Sequence, residues 1–185
     1  TGEILWCTVL TAETSAQGFT FSSLMHDIEP ITGSNGTEYI VVGQGSRPGV
    51  PTAPTIFRLG PDGLLLNRIC LQNGEVGVPS NWPVVDFGWL TSIARDPSST
   101  KLFVSGFFKE AAEPWQAIGF LLDGANSSLS PEWFLRTDDP SGPLMTNGGH
   151  LPNGQNFTTG GGFVPGGNVR IVWPVLANYT SGDIS

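Results

Sequence analysis

Lys101-Leu-Phe-Val-Ser-Gly106, then Gln116-Ala-Ile-Gly-Phe-Leu-Leu122, an Asp123-Gly124 step and the stretch Leu129 to Trp133, reads as strand, glycine, loop, strand, turn, strand. The apolar runs are short, rich in β-branched and aromatic residues and bounded by turn formers, the pattern expected of strands packed against other sheets. The same phrase recurs upstream as Tyr39-Ile-Val-Val-Gly43, Thr55-Ile-Phe-Arg-Leu59, a Pro61-Asp62-Gly63 turn and Leu64-Leu-Leu66. It recurs downstream as Gln155-Asn-Phe-Thr-Thr-Gly160, Val169-Arg-Ile-Val-Trp173 with Val175-Leu176, a turn at Asn178 and Gly182-Asp-Ile184. Internal repetition of this kind decides the architecture before any single motif does.

A further strand is predicted ahead of each copy, at Met25 to Ile31, Thr91 to Arg95 and Thr146 to Leu151. Each ends in turn formers: Gly33-Ser34-Asn35-Gly36, Asp96-Pro97-Ser98-Ser99 and Pro152-Asn153-Gly154. The expectation is therefore an all-β chain of about three four-stranded antiparallel units. The units fall near 18–75, 86–136 and 140–185 of one repeat-built domain over 1–185, with 1–10 completing a unit. Gly43, Gly106 and Gly160 hold equivalent places, where a missing Cβ permits a bulge or a close backbone approach. Asp62-Gly63 and Asp123-Gly124 suit tight hairpins, because both residue types tolerate positive φ.

The opening Thr1-Gly-Glu-Ile-Leu-Trp6 reads as the last strand of a unit, and the closing Ser181-Gly-Asp-Ile-Ser185 as the start of that same strand. Matching phases suggest a processed segment of a closed ring or of a longer head-to-tail array. At these residues, and at Phe103-Val-Ser-Gly106-Phe107, the chain resembles β-propeller blades of the quinoprotein-like and bacterial repeat types. The resemblance implies a propeller-like arrangement of the units; a β-sandwich or barrel is the alternative. Quinoprotein enzymes also require a cofactor pocket with acidic calcium ligands. No such set is assigned here, so their activity is not carried over and no cofactor is expected.

Composition narrows the function. Gly (25) and Pro (15) exceed a fifth of the 185 residues while 13% are charged, favouring many turns and few long helices. Six Trp and eleven Phe are spread along the chain, which argues for a folded core. The net charge of −8, with Lys101 and Lys109 outside any basic cluster, speaks against nucleic acid as a partner. No apolar run approaches the ~20 residues of a membrane-spanning helix.

Four N-glycosylation sequons begin at Asn35, Asn126, Asn156 and Asn178, all in stretches read as polar and turn-like. Their number is modest against chance, so placement carries the expectation of N-linked glycans and an extracellular address. Cys7 and Cys70 are the pair that one disulfide in an oxidising compartment would need.

Catalytic patterns are sparse. His26 and His150 lack zinc spacing, and neighbouring His26 and Asp27 would point to opposite faces of a strand, against a base and orienter pair. Gly43-Gln-Gly45-Ser-Arg-Pro-Gly49 lacks the ending of a phosphate loop and is read as an ordinary loop. Gly160-Gly-Gly162 and Gly166-Gly167 are read as a hairpin with a bulge. Glu110, Glu113, Asp138 and Asp139, with Trp115 and Trp133 nearby, form the one carboxylate group that could serve a glycosidase. Trp6, Trp133 and Trp173 are assigned to the core, and Trp82, Trp89 and Trp115 to a surface where aromatics could stack on a ligand.

The leading expectation is an extracellular structural glycoprotein module, such as a matrix, surface-layer or fibril subunit. Its partners would be copies of itself or adjacent repeats of a longer chain. The alternative is a carbohydrate- or protein-binding propeller domain of a secreted protein, followed by a secreted glycoside-active enzyme.

Overall fold

The computed structural model describes residues 6–7, 25–47, 50–95, 99–111, 116–136, 144–150, 155–163 and 170–178. Within them every regular element is a strand, and the strands form three antiparallel sheets, each a meander in sequence order. The first contains β1 (Met25–Gly33), β2 (Gly36–Arg47), β3 (Val50–Leu59) and β4 (Leu65–Cys70). The second contains β5 (Val85–Arg95), β6 (Lys101–Glu110), β7 (Gln116–Asp123) and β8 (Trp133–Arg136). The third contains β9 (Leu144–His150), β10 (Gln155–Phe163) and β11 (Arg170–Asn178). The expected fourth strand of the last unit, Gly182 to Ile184, lies outside the described residues, as does residue 169.

The three anchor glycines occupy one structural position. Gly43 pairs with Met25 while Val42 pairs with Asp27, so β1 bulges at His26. Gly106 pairs with Leu90 while Ser105 pairs with Ser92, so β5 bulges at Thr91. Gly160 pairs with Met145 while Thr159 pairs with Asn147, so β9 bulges at Thr146. One extra residue in the first strand of each sheet thus faces a glycine in the second. Crowding explains the glycine: a Cβ on Gly106 would collide with the Trp89 carbonyl oxygen and come within 2.8 Å of Leu90 Cα.

The sheets stack. β5 lies against β1, β2 and β3, and β9 lies against β5, β6 and β7, so the first strand of each sheet meets the preceding sheet. Between the first two sheets, Ile40, Val42, Ile56 and Ile69 interleave with Leu90, Leu102, Val104, Phe108, Ile118 and Phe120 in one core. β6 is buried from Leu102 through Phe108, both faces included, which accounts for its unbroken apolar run. The first sheet's opposite face carries a smaller cluster, Val41, Phe57 and Leu59, against which half-buried Trp6 and Tyr39 pack.

This two-faced arrangement separates the cysteines. Cys70 is buried in the core between the sheets, whereas exposed Cys7 follows Trp6, which packs on the opposite face. No disulfide joins them, contrary to the expected bridge, because the first sheet stands between the two environments.

The turns show two uses of glycine. Gly63 adopts φ +78° in the turn joining β3 to β4, while the Asp62 carboxylate accepts the Leu64 N–H at 3.1 Å. Gly124 is not among the positive-φ residues. Its N–H donates to the Thr100 carbonyl at 2.8 Å, and a Cβ there would lie 2.9 Å from that oxygen, so close approach is what it supplies. Leu129, expected to open a strand, instead sits in the connection before β8 with φ 57° and a buried side chain. Residues 43–47, expected in a loop, belong to β2, and Gly160-Gly-Gly162 belongs to β10, paired with Trp173, Val172 and Ile171.

A long connection, 71–84, is tied down internally. Gln72 exchanges two hydrogen bonds with the Val85 backbone, at 2.7 and 2.9 Å. Asn73 Nδ2 donates to the carbonyls of Ser80 (3.2 Å) and Trp82 (2.6 Å).

Candidate functional site

A bulge turns one side chain out of register, and at His26 this has a visible result. The exposed imidazole stacks on the indole of Trp89 from the next sheet, with centroids 6.4 Å apart and planes 19° apart. Trp89 meets Phe107 edge-on at 4.0 Å and Phe87 edge-on at 5.3 Å, and Phe87 is 37% exposed. The four rings form an aromatic ledge across the junction of the first two sheets. Beside it lies a cleft of about 310 Å³ lined by Trp6, Met25, His26, Asp27, Ile28, Val41 and Leu59. Met25 and Ile28 expose 40% and 49% of their surface there. The ledge and cleft present apolar surface with little polar lining.

Asp27 is committed elsewhere. Its carboxylate accepts the N–H of Ile28 at 2.9 Å and that of Ile93 at 3.0 Å, stitching β1 to β5. The carboxyl of nearby Glu29 is raised above the usual range, chiefly by burial, against the pull of Arg95 at 3.6 Å and with a smaller push from Asp27.

Of the tryptophans expected at a binding surface, Trp89 lies in this ledge and Trp115 lies outside the described residues. Trp82 belongs to the core instead. Only 1% exposed, it donates its indole N–H to the Leu71 carbonyl at 3.1 Å and packs edge-on against Phe120 at 5.6 Å. The flanking Asn81 and Pro83 signal a loop, but the loop folds inward. Trp6 does pack against a cluster, on the first sheet's other face.

A second assembly joins the sheets at the sequon Asn126-Ser127-Ser128. Buried Arg58 pairs with buried Glu38 through Nε at 2.5 Å, and its Nη1 reaches across to donate to the Asn126 carbonyl at 3.1 Å. Asn67 Nδ2 donates to the Ser127 carbonyl at 2.6 Å. The Asn126 side-chain oxygen accepts the Ser128 N–H at 2.9 Å, an Asx turn that leaves Asn126 exposed. A cleft of about 260 Å³ runs alongside, lined by Asn67, Arg68, Ile69, Cys70, Glu75, Val76, Gly77 and Ser128. Burial lowers the Arg68 guanidinium from its usual range, with Cys70 acting the other way. Sequence reading passed over Glu38 and Arg58. Their signal was a lone acid and a lone base interrupting otherwise apolar strands.

The other sequons are dispersed. Asn35 is exposed in the turn joining β1 to β2. Asn156 is not in a turn: it lies within β10, opposite Ala177 and His150, and Asn178 is the last residue of β11. Of the carboxylates considered for glycoside chemistry, Glu110 ends β6 opposite Val85, while Glu113, Asp138 and Asp139 lie outside the described residues. Among the described residues, no three His, Cys, Asp or Glu gather in a metal-binding group, and no helix is long and apolar enough to cross a membrane.

Neither a scan against protein-family models nor a search of curated proteins finds a match for this chain.

Proposed function

We propose that this chain is an extracellular structural glycoprotein module whose sheets are propeller-like blades and which assembles with neighbouring copies. The observation that carries the reading is the repeated register, with a bulged first strand facing a glycine in each of three sheets. A unit that stacks on the unit before it by one rule is suited to continue across molecules. The outer face of the first sheet, with its cleft and exposed Ile28 and Met25, is the surface a neighbouring copy would cover. The glycoprotein part of the reading is supported by the exposure of Asn35 and Asn126, each the first residue of a sequon.

Light scattering across a concentration series, with electron images of the native particle, tests the assembly. Association that rises with concentration and is lost in Ile28→Lys is expected. A monodisperse monomer at every concentration would sink the proposal. Glycosidase treatment should lower the mass of protein from its native source.

A second reading is a carbohydrate- or protein-binding module, supported by the Trp89, Phe87 and His26 ledge. Aromatic faces beside an apolar cleft suit stacking on a sugar ring. Silence on a glycan array and in pull-downs would count against it.

A further inference from the structure

Asn35 is followed by Gly36, and the same dipeptide occurs at Asn73-Gly74, Asn147-Gly148 and Asn153-Gly154. The first two make a controlled comparison. Both asparagines are exposed, and both glycines have positive φ, +124° at Gly36 and +84° at Gly74. They differ in how the side-chain amide is held. Asn73 Nδ2 donates to two backbone carbonyls, Ser80 and Trp82, which fix its orientation. Asn35 sits at the tip of the hairpin closed by the Gly33 and Gly36 pair, and no such anchor reaches its amide among the described residues. The surroundings of Gly36 are open, since a Cβ there would meet only Pro61, at 3.8 Å.

We propose that Asn35 is a site of spontaneous deamidation, a modification set by the fold and competing with glycosylation for one side-chain nitrogen. The Gly36 backbone nitrogen, after losing its proton to solvent base, attacks Asn35 Cγ. A bond forms from that nitrogen to Cγ, the bond from Cγ to Nδ2 breaks, and Nδ2 takes up a proton and leaves as ammonia. Water then adds to either carbonyl of the resulting succinimide and opens it to aspartate or isoaspartate, with no change of oxidation state. Glycine favours the step because it places no side chain beside the attacking nitrogen and resists backbone rearrangement least. At Asn73 the same attack requires the amide to turn away from both acceptors. At Asn35 only the Gly36 side of the bond is paired, with Gly33 at the ladder's end, whereas at Asn147 both sides lie within the β9 ladder, paired with Thr159 and Thr158. Asn153 lies outside the described residues and takes no part in the comparison.

The two fates of Asn35 exclude each other. A glycan on Nδ2 crowds Cγ against attack by the Gly36 nitrogen, and conversion to an acid destroys the sequon Asn35-Gly36-Thr37. Neither fate requires the assembly reading.

Glycan-free protein, incubated in mildly alkaline buffer and followed by peptide mapping with isoaspartate-specific labelling, tests the proposal. If each hydrogen bond on Asn73 slows attack about fivefold, Asn35 should convert at least about tenfold faster than Asn73 in the folded protein. In urea, where both anchors are lost, the two rates should converge. Thr37→Ala, which removes the sequon and keeps the dipeptide, should leave conversion of Asn35 unchanged. Conversion of Asn73 as fast as Asn35 in native buffer, or a lead that persists undiminished in urea, would overturn the proposal.

Discussion

The two faces of the first sheet are made from the same strands and are used differently. Toward the second sheet, Ile40, Val42, Ile56 and Ile69 are at most 4% exposed and meet an apolar partner along their length. On the other face, Val41, Phe57 and Leu59 are equally buried, yet they abut half-buried Trp6 and Tyr39 and an open cleft with Ile28 at its rim. Consecutive apolar residues such as Ile40, Val41 and Val42 signal a strand intended for burial on both sides. The difference teaches that the apolar run records both contacts, while only one is filled by the second sheet.

The largest break in this contrast should come from the shared core. Phe120→Ala removes a fully buried ring that Trp82 packs against, and should cost about 3–5 kcal/mol in urea unfolding. Next is Glu38→Ala, which strands the Arg58 guanidinium in the interior at about 3 kcal/mol. Replacing both, as Glu38→Met with Arg58→Leu, should recover much of that loss, because two apolar side chains leave no charge unpaired. Leu59→Ala, on the open face, should cost near the low end of such truncations, about 2 kcal/mol, since the adjoining cleft lets the site relax.

A smaller effect is expected where the start of β6 pairs with the end of β7, at Lys101 and Asp123. The Asp123 carboxyl is held below its usual range, first by the Thr100 hydroxyl at 2.6 Å, with burial opposing, then by the Ala125 N–H and by Lys101. Lys101, also bonded to Glu132, is raised overall despite the opposing effect of burial. A depressed carboxyl stabilises the fold above its unfolded pKa, near 3.9, and loses that contribution as pH falls through the lower folded value. Thr100→Val should therefore cost at most about 1 kcal/mol near neutrality and make the acid-unfolding curve less steep. Smallest of all, Ile28→Ser should leave the stability of the isolated chain within about 0.5 kcal/mol and show its effect only in association.

Much of the strand pattern was legible because local cues agreed: apolar runs such as Phe103-Val104 bounded by turn formers. The anchor glycines were legible too, as places for a bulge or a close approach, but the bulge's position opposite them, at His26, Thr91 and Thr146, was not, because it depends on the partner strand's register. Trp82 misled for a related reason. Its neighbours specify a loop, and only contacts with Leu71 and Phe120 decide which way the loop folds. The separation of Cys7 from Cys70 was not legible, because sequence spacing is blind to which face of a sheet a residue occupies. The ledge was half visible, through Trp89, and lacked its partner His26, which the bulge delivers.

The contacts from Arg58 and Asn67 to the carbonyls of Asn126 and Ser127 also bear on how the molecule opens. Each sheet alone could peel from its neighbour, but these contacts join the end of β3 and the edge strand β4 to the connection between β7 and β8. The first two sheets should therefore behave as a single cooperative unit, with amides of β3 and β7 exchanging with solvent through one shared opening rather than two.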